Sequence, residues 1–227
     1  GALKIILPEL AANDKVAQNE KYHKYDVLEH IFAVVENCPP SVRLAGLFHD
    51  VGKGACYAEC GNTYLHNVIG AKITEEVLTR LKYPKKTIEK VSRMTLEHMF
   101  DVNGNAREVK YRRFIVKNLD ILDDLIALFE ADCKGTGYLQ NSRTAEKIRE
   151  VYSKMLQEQV PLSLSQLAVN GNDMAQLGFK GKEIGETLGQ LWDMALRRSA
   201  ENEKETLLSI AKRIKRNTEK KKDKKNG

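Results

Sequence analysis

The sequence predicts an all-α protein, and three observations predict it. Apolar residues recur at three-to-four spacing through most of the chain. No run alternates apolar and polar residues as a half-buried strand does. The Asn/Gly turns separate helical patterns instead of joining two alternating segments as a hairpin.

The elements follow in order. Residues 25–37 carry Val27, Leu28, Ile31, Phe32, Val34 and Val35 on a helical stripe and stop before Pro39-Pro40, because proline cannot continue a helix. Ser41 is a good N-cap for the next helix, which holds Leu44, Leu47 and Phe48 and is expected to run until Gly52. A Gly/Cys-rich loop is expected over 54–63. Residues 66–83 present Ile69, Ile73, Val77 and Leu81 and end at Pro84. Helices are expected over 86–99, 107–117 and 120–134, and a longer polar-faced one over 143–157. Val160-Pro161 marks a boundary, so the break between two helical parts is expected near 159–162. Beyond it, Asn172 or Asn170 can cap a short helix ended by Gly178. Gly181-Lys182 then opens a helix with Leu188, Leu191, Trp192 and Leu196, and a basic end helix follows. The expected organisation is a lead-in segment over 1–24, a helical domain over 25–159 and a smaller helical domain over 160–227.

Composition bounds the function classes. At 227 residues, 42% hydrophobic and 30% charged, the chain is long enough for a real core and is not compositionally disordered. No apolar stretch approaches the roughly 20 residues that span a bilayer, and the N-terminus lacks a secretory pattern, so a cytoplasmic protein without a membrane partner is expected. Gly1 stands where an initiating methionine would, so the natural protein is expected to begin upstream. The four cysteines fit a reducing compartment. Cys56 and Cys60 form C-x3-C with His66 beyond, but no fourth ligand follows at a finger-like spacing, so reduced thiols are expected there instead of zinc.

The net charge of +6 is uneven. Residues 212–227 hold nine Lys/Arg against two Asp/Glu, which is the whole basic excess. Two readings stay open: a solubilising helix end, or a sequence-blind grip on a phosphate backbone by Lys212, Arg213, Lys215, Arg216 and their neighbours.

All five histidines lie within the first 98 residues: His23, His30, His49, His66 and His98. His30 lies on the first full helix, His49-Asp50 ends the second, His66 starts the third, His98 ends the fourth, and Asp132 sits near the end of the sixth. Imidazole nitrogens and carboxylate oxygens are ligands for Zn, Mn, Fe, Ni or Mg-type ions. Four of them leave an open coordination position for water and a phosphate. Adjacent helical residues diverge by about 100°, so His49 and Asp50 reach one ion only near a helix end or around a metal wedged between helices. The bland alternative for each histidine alone is a capping or hydrogen-bonded core residue.

His30, then His49-Asp50 with "VGK" after it, then Asp132 resembles the H…HD…D signature of the HD-domain metal-dependent phosphohydrolases. "LPELAAN", "YHKYDVLEH", "LAGLFHDVGK", "YLHNVIGAKI", "RRFI" and "SLSQLAVNGNDMAQLG…GKEIGETLGQLW" are similar to the C-terminal half of bacterial tRNA nucleotidyltransferases, the CCA-adding enzyme and poly(A) polymerase family. The chain departs from that pattern at Leu65-His66-Asn67, where the family often has His-Glu, and at Lys180-Gly181-Lys182, where it has proline-glycine. The family's glycine-rich nucleotide loop and paired catalytic carboxylates have no counterpart in these residues, so nucleotide addition is not expected of them.

The resemblance implies an HD-domain helical bundle followed by a smaller helical C-terminal domain. It implies one divalent ion (Mn, Mg, Ni, Co, Fe or Zn) on His30, His49, Asp50 and Asp132, and a second ion or the substrate phosphate on His66 and His98. Asp50 and Lys53 would then be catalytic, one orienting water and the other offsetting phosphate charge. The activity implied is hydrolysis of phosphomonoesters or 2′,3′-cyclic phosphodiesters, with a phosphorylated nucleotide or RNA as substrate. The alternative is a non-catalytic body that holds tRNA.

Overall fold

A computed structural model of the protein describes residues 1–138, 140–197 and 202–226, and side chains as far as 219. The last basic side chains of the tail, from Lys220 onward, lie outside the described residues. The fold is all-α, with no strand among the described residues. Thirteen α-helices follow one another among them: α1 Ala2–Ile6, α2 Pro8–Ala11, α3 Val27–Asn37, α4 Arg43–Phe48, α5 Gly52–Cys60, α6 His66–Arg80 and α7 Lys85–Glu97 come first, then α8 Glu108–Lys117, α9 Leu122–Gly135, α10 Arg143–Gln157, α11 Gly171–Gln176, α12 Lys182–Arg197 and α13 Lys204–Asn226. No helix of the described residues is long and apolar enough to cross a membrane.

The chain divides into two compact units: Gly1–Asn105 with Asp120–Ile148, and Ala106–Leu119 with Arg149–Gly227. This division cuts α10 and assigns α8 to the second unit, whereas the sequence suggests a single break near 159–162. The assignment of α8 has a physical basis: α8 packs on α12, with Arg113 Nη2 against Asp193 Oδ1 at 2.6 Å.

In the first unit, Asp26 caps α3 by accepting a hydrogen bond from the Glu29 amide at 2.9 Å. Val27, Ile31 and Val34 of α3 are buried with Ala45 and Phe48 of α4, Leu125 and Leu128 of α9, Val77 and Leu78 of α6, and Met94 of α7. Each such apolar side chain is worth about 1.5–3 kcal/mol over its exposed state. Helix α3 packs on α4 and α9, and α6 packs on α5 and α7.

Three local expectations need correction. Ser41 is exposed and does not cap α4, whose N-cap is Val42 without a side-chain bond. The lead-in contains two short helices, α1 and α2, the second opened by Pro8. The expected Gly/Cys-rich loop is largely α5, ended by Gly61 at φ 66°. Its glycines obscure the helical signal but make the packing possible, because a Cβ on Gly52 would strike the His66 carbonyl and stand 2.6 Å from the Gly70 amide.

In the second unit Leu167, Val169, Met174, Phe179, Leu191, Ala195, Leu207 and Ala211 form the buried core. Asn170, one of the two expected caps, closes a capping box on α11 with Asp173. Gly178 follows α11 at φ 83°. Trp192 donates its indole N–H to the Pro161 carbonyl at 2.9 Å.

Candidate metal centre

The first unit brings its ligand-type side chains together from five elements. His30 comes from α3, His49 and Asp50 from the turn after α4, His66 from the first residue of α6, His98 from the end of α7, and Asp132 from α9. The close approach of Gly52 to α6 sets the His49-Asp50 turn beside His66. Similarly, a Cβ on Gly135 would stand 3.0 Å from the Val34 amide, so its absence lets α9 lie against α3 and deliver Asp132 to His30.

Two groups result, each with ligand atoms within 4.8 Å of one another: His30, His49 and Asp132, and Asp50, His66 and His98. Asp50 belongs to both neighbourhoods. Its Oδ2 lies 3.5 Å from His30 Nε2 and 3.3 Å from His49 Nε2, while its Oδ1 lies 3.1 Å from His66 Nε2 and 3.4 Å from His98 Nε2. Asp132 Oδ1 stands 3.0 Å from His30 Nε2 and 3.7 Å from His49 Nε2. The imidazoles are buried, whereas the Asp132 side chain is 28% exposed and gives the cluster its side toward solvent.

The backbone decides which nitrogen faces inward. Nδ1 of His30, His49, His66 and His98 lies 3.1, 2.7, 2.8 and 2.7 Å from the carbonyls of Gly135, Gly46, Thr63 and Thr95. A carbonyl only accepts, so each Nδ1 carries the proton and donates it. Each neutral ring then turns the Nε2 lone pair into the cluster, the tautomer a metal ligand requires. His30 and His49 Nε2 are 3.3 Å apart, and His66 and His98 Nε2 are 3.2 Å apart. Facing lone pairs at that distance need a cation between them, either a proton or a metal ion. The mixed N/O donor set fits a divalent ion in either group.

The pKa shifts reflect this crowding. Burial opposes protonation of His49, but the carboxylates of Asp50 and Asp132 outweigh it and raise its pKa. For Asp50, burial works against ionisation, yet Lys53 and His49 hold its carboxyl well below the usual range. The Asp132 carboxyl is likewise lowered, the desolvation around it outweighed by the adjoining His30 and by the His49 charge. Burial lowers His98 despite the neighbouring Asp50 carboxylate.

Lys53 does not stand free toward a substrate. Its Nζ donates to Asp50 Oδ2 at 2.5 Å and to Gln18 Oε1 at 2.8 Å. Gln18 gives no signal in the sequence pattern, since a glutamine between helices follows no periodicity. His23 packs edge-on against His30 with ring centroids 4.7 Å apart, and burial, followed by the nearby His30 and Lys53, lowers its pKa to about 4. Cys56 is buried and Cys60 exposed, and neither joins a ligand group among the described residues.

The candidate nucleic-acid residues lie on α13 of the second unit. Lys212, Arg213 and Arg216 are exposed. Lys215 is half-buried, donates to the Leu177 carbonyl at 2.8 Å and lies 5.2 Å over the Phe179 ring. Lys212, Lys215, Arg216, Leu177 and Glu219 line an open hollow of about 410 Å³.

A helical bundle that gathers four histidines and two aspartates around one buried point defines a class, and the HD-domain family model matches residues 21–132. Residues 21–132 of the chain are thus an HD domain. Over most of its length the chain is similar to tRNA nucleotidyltransferases. It is 30% identical over 207 residues to the A-adding tRNA nucleotidyltransferase of Deinococcus radiodurans, covering 84% of this chain and 47% of that protein. It is 30% identical over 203 residues to the CC-adding tRNA nucleotidyltransferase of Thermus thermophilus, covering 84% and 45%. It is 33% identical over 157 residues to the Multifunctional CCA protein of Alcanivorax borkumensis, covering 62% and 38%. The chain thus spans about half the length, or less, of the curated relatives it matches.

Proposed function

We propose that this chain is a metal-dependent phosphohydrolase acting on phosphomonoesters or 2′,3′-cyclic phosphodiesters of nucleotides or RNA. The observation that carries the reading is the convergence of four Nε2 lone pairs on Asp50, whose two oxygens face two different histidine pairs. His30, His49 and Asp132 would hold one divalent ion, His66 and His98 a second, with Asp50 shared between them. A bound divalent ion supplies Lewis acidity, polarising a phosphoryl oxygen and easing deprotonation of water. The chain's own contribution is positional. The four backbone carbonyls fix the imidazole tautomers, and Lys53 holds the Asp50 carboxylate ionised and in one pose. Buried walls exclude bulk water, which strengthens every charge interaction inside. The partly exposed Asp132 marks the side from which a phosphate can approach.

A second reading is favoured by the exposed basic residues of α13 and by the relatives' names, which describe enzymes of tRNA. On it, the chain is an RNA-holding body and the His/Asp cluster is structural. Assaying wild type and Asp50→Ala on 2′,3′-cyclic AMP and p-nitrophenyl phosphate with Mn, Mg, Ni or Co separates the two. The phosphohydrolase reading expects metal-dependent turnover in wild type alone. A metal-replete wild type no faster than the variant makes the chain a scaffold.

A further inference from the structure

We infer that Gln18 is a positioning residue of the metal centre: it anchors Lys53 to the first turn of α3 and so fixes the Asp50 carboxylate that faces both ligand groups. The inference rests on the proposed function for its catalytic consequence but not for its effect on ion binding. Gln18 lies before residue 21, where the HD match begins.

The side chain uses both of its ends. Its Oε1 accepts from Lys53 Nζ at 2.8 Å, and its Nε2 donates to the carbonyls of Tyr25 and Asp26 at 3.3 Å. The same Asp26 carbonyl accepts from the His30 amide at 3.0 Å. One amide group therefore joins the backbone that carries His30 to the ammonium that holds Asp50 Oδ2. The surrounding segment is tied down independently. The Lys15 amide donates to Asp26 Oδ2 at 3.0 Å, and the Val27 amide donates to the Val16 carbonyl at 3.0 Å. Buried Asn13 donates to the Val51 carbonyl at 3.1 Å and accepts from the Gly54 amide at 2.7 Å, gripping the backbone just after His49-Asp50.

The physical need follows from lysine itself. An ammonium on a four-carbon stem has three donors and no preferred direction. With Asp50 as its one acceptor it is free to swing about that carboxylate. With Gln18 as a second acceptor it has one position, and Asp50 keeps one pose while its remaining lone pairs face the histidines. A ligand oriented by a fixed neighbour typically loses about 10- to 100-fold in metal affinity or activity when that neighbour is removed.

The test is a double-mutant cycle on the full chain, read by Mn²⁺ affinity in calorimetry and by kcat and KM on p-nitrophenyl phosphate. Gln18→Leu removes the acceptor and should weaken Mn²⁺ binding about ten-fold and lower kcat more than it raises KM. In a Lys53→Met background, Gln18→Leu should change neither readout. Equal losses in both backgrounds overturn the inference, because Gln18 then acts only by securing the 18–26 backbone. Gln18→Glu gives a second discriminator: it keeps an acceptor for Lys53 but loses the donor to Tyr25 and Asp26. Mn²⁺ affinity fully retained in Gln18→Glu overturns the anchoring through α3, and a loss that disappears in the Lys53→Met background supports it. A wild type that binds Mn²⁺ but hydrolyses nothing sinks the proposed function, while the Mn²⁺ cycle still decides Gln18. A wild type that binds no Mn²⁺ overturns both.

Discussion

The His/Asp cluster of the first unit and the Arg112 cluster of the second both gather polar groups around a buried side chain, but they close differently. Arg112, 6% exposed, donates to Glu108 Oε1 at 2.8 Å, Glu158 Oε2 at 2.6 Å and the Leu196 carbonyl at 3.2 Å. Lys154 completes the square on Glu108 Oε2 at 2.8 Å. Every charge there faces its opposite, so the cluster needs nothing from outside. The His/Asp cluster satisfies its outer nitrogens on backbone carbonyls and leaves the inner ones facing each other. Buried polar atoms that the fold satisfies by itself belong to structure; buried lone pairs that converge without donors call for a cation.

The sharpest break of that comparison is Asp50→Ala. If one carboxylate serves both ligand groups, the variant should lose both ions in elemental analysis and lower hydrolysis by roughly 10³-fold, about 4 kcal/mol in transition-state stabilisation. His66→Ala should lose one equivalent and keep the other on His30, His49 and Asp132. An Asp50→Ala protein with full metal content would show that the two groups bind independently.

Arg112→Met is the matching change in the self-contained cluster. Removing the guanidinium leaves Glu108 and Glu158 with Lys154 as their remaining partner, at 2.8 and 3.9 Å, and both, about a third exposed, regain water. Stability should therefore fall by about 2 kcal/mol in urea unfolding, less than for a fully buried pair, with metal content unchanged. Metal loss in this variant would erase the distinction between the clusters.

Acidity separates the clusters through proton competition. The His49 pKa is raised above its ordinary 6.5, so a proton and an ion contend for the same Nε2. Mn²⁺ affinity should be pH-independent above that raised pKa and fall as pH drops through it, at a value above 6.5. Asp50 and Asp132 have the opposite sign. Their carboxyls are lowered by folding, so the stability they contribute is present above the ordinary carboxylate pKa of 3.8 and is lost as pH falls through the lower folded values. Calorimetric affinity between pH 5.5 and 8.5 checks the first; an affinity flat across that range would mean His49 is neutral without metal.

Much of the site was legible because its chemistry is confined to scarce residue types. Four of the five histidines, each at a helix end or on the first full helix, suggest a constellation before any fold is known. What sequence cannot convey is how the ligands group. Asp50 reads as a member of the His30 set, yet its Oδ1 faces His66 and His98 because Gly52 lets α5 press against α6. Lys53 reads as a phosphate-facing cation, yet it is satisfied by Asp50 and Gln18, and only tertiary contact brings residue 18 to residue 53. The glycines of α5 read as loop for a related reason: their worth lies in close packing, which local propensity does not register.

The smallest effect expected concerns the basic face of α13. Lys212 and Arg216 are exposed, whereas Lys215 spends its ammonium on the Leu177 carbonyl and the Phe179 ring. If the helix grips RNA, these two exposed cations of the hollow act through counterion release, as does exposed Arg213 beside them, and each Gln substitution should reduce the slope of log K against log salt by roughly 0.7–0.9. At about 0.1 M salt, where exposed charges are screened beyond about 10 Å, the change in affinity itself should be small. Lys215→Gln should alter the slope less but lower thermal stability, because it leaves the Leu177 carbonyl without its donor. Nitrocellulose filter binding of a tRNA across a salt series measures the slopes. Equal slopes for wild type, Lys212→Gln and Arg216→Gln would return α13 to a solubilising end, and the buried His/Asp cluster would then be the one site in this comparison that calls for an outside partner.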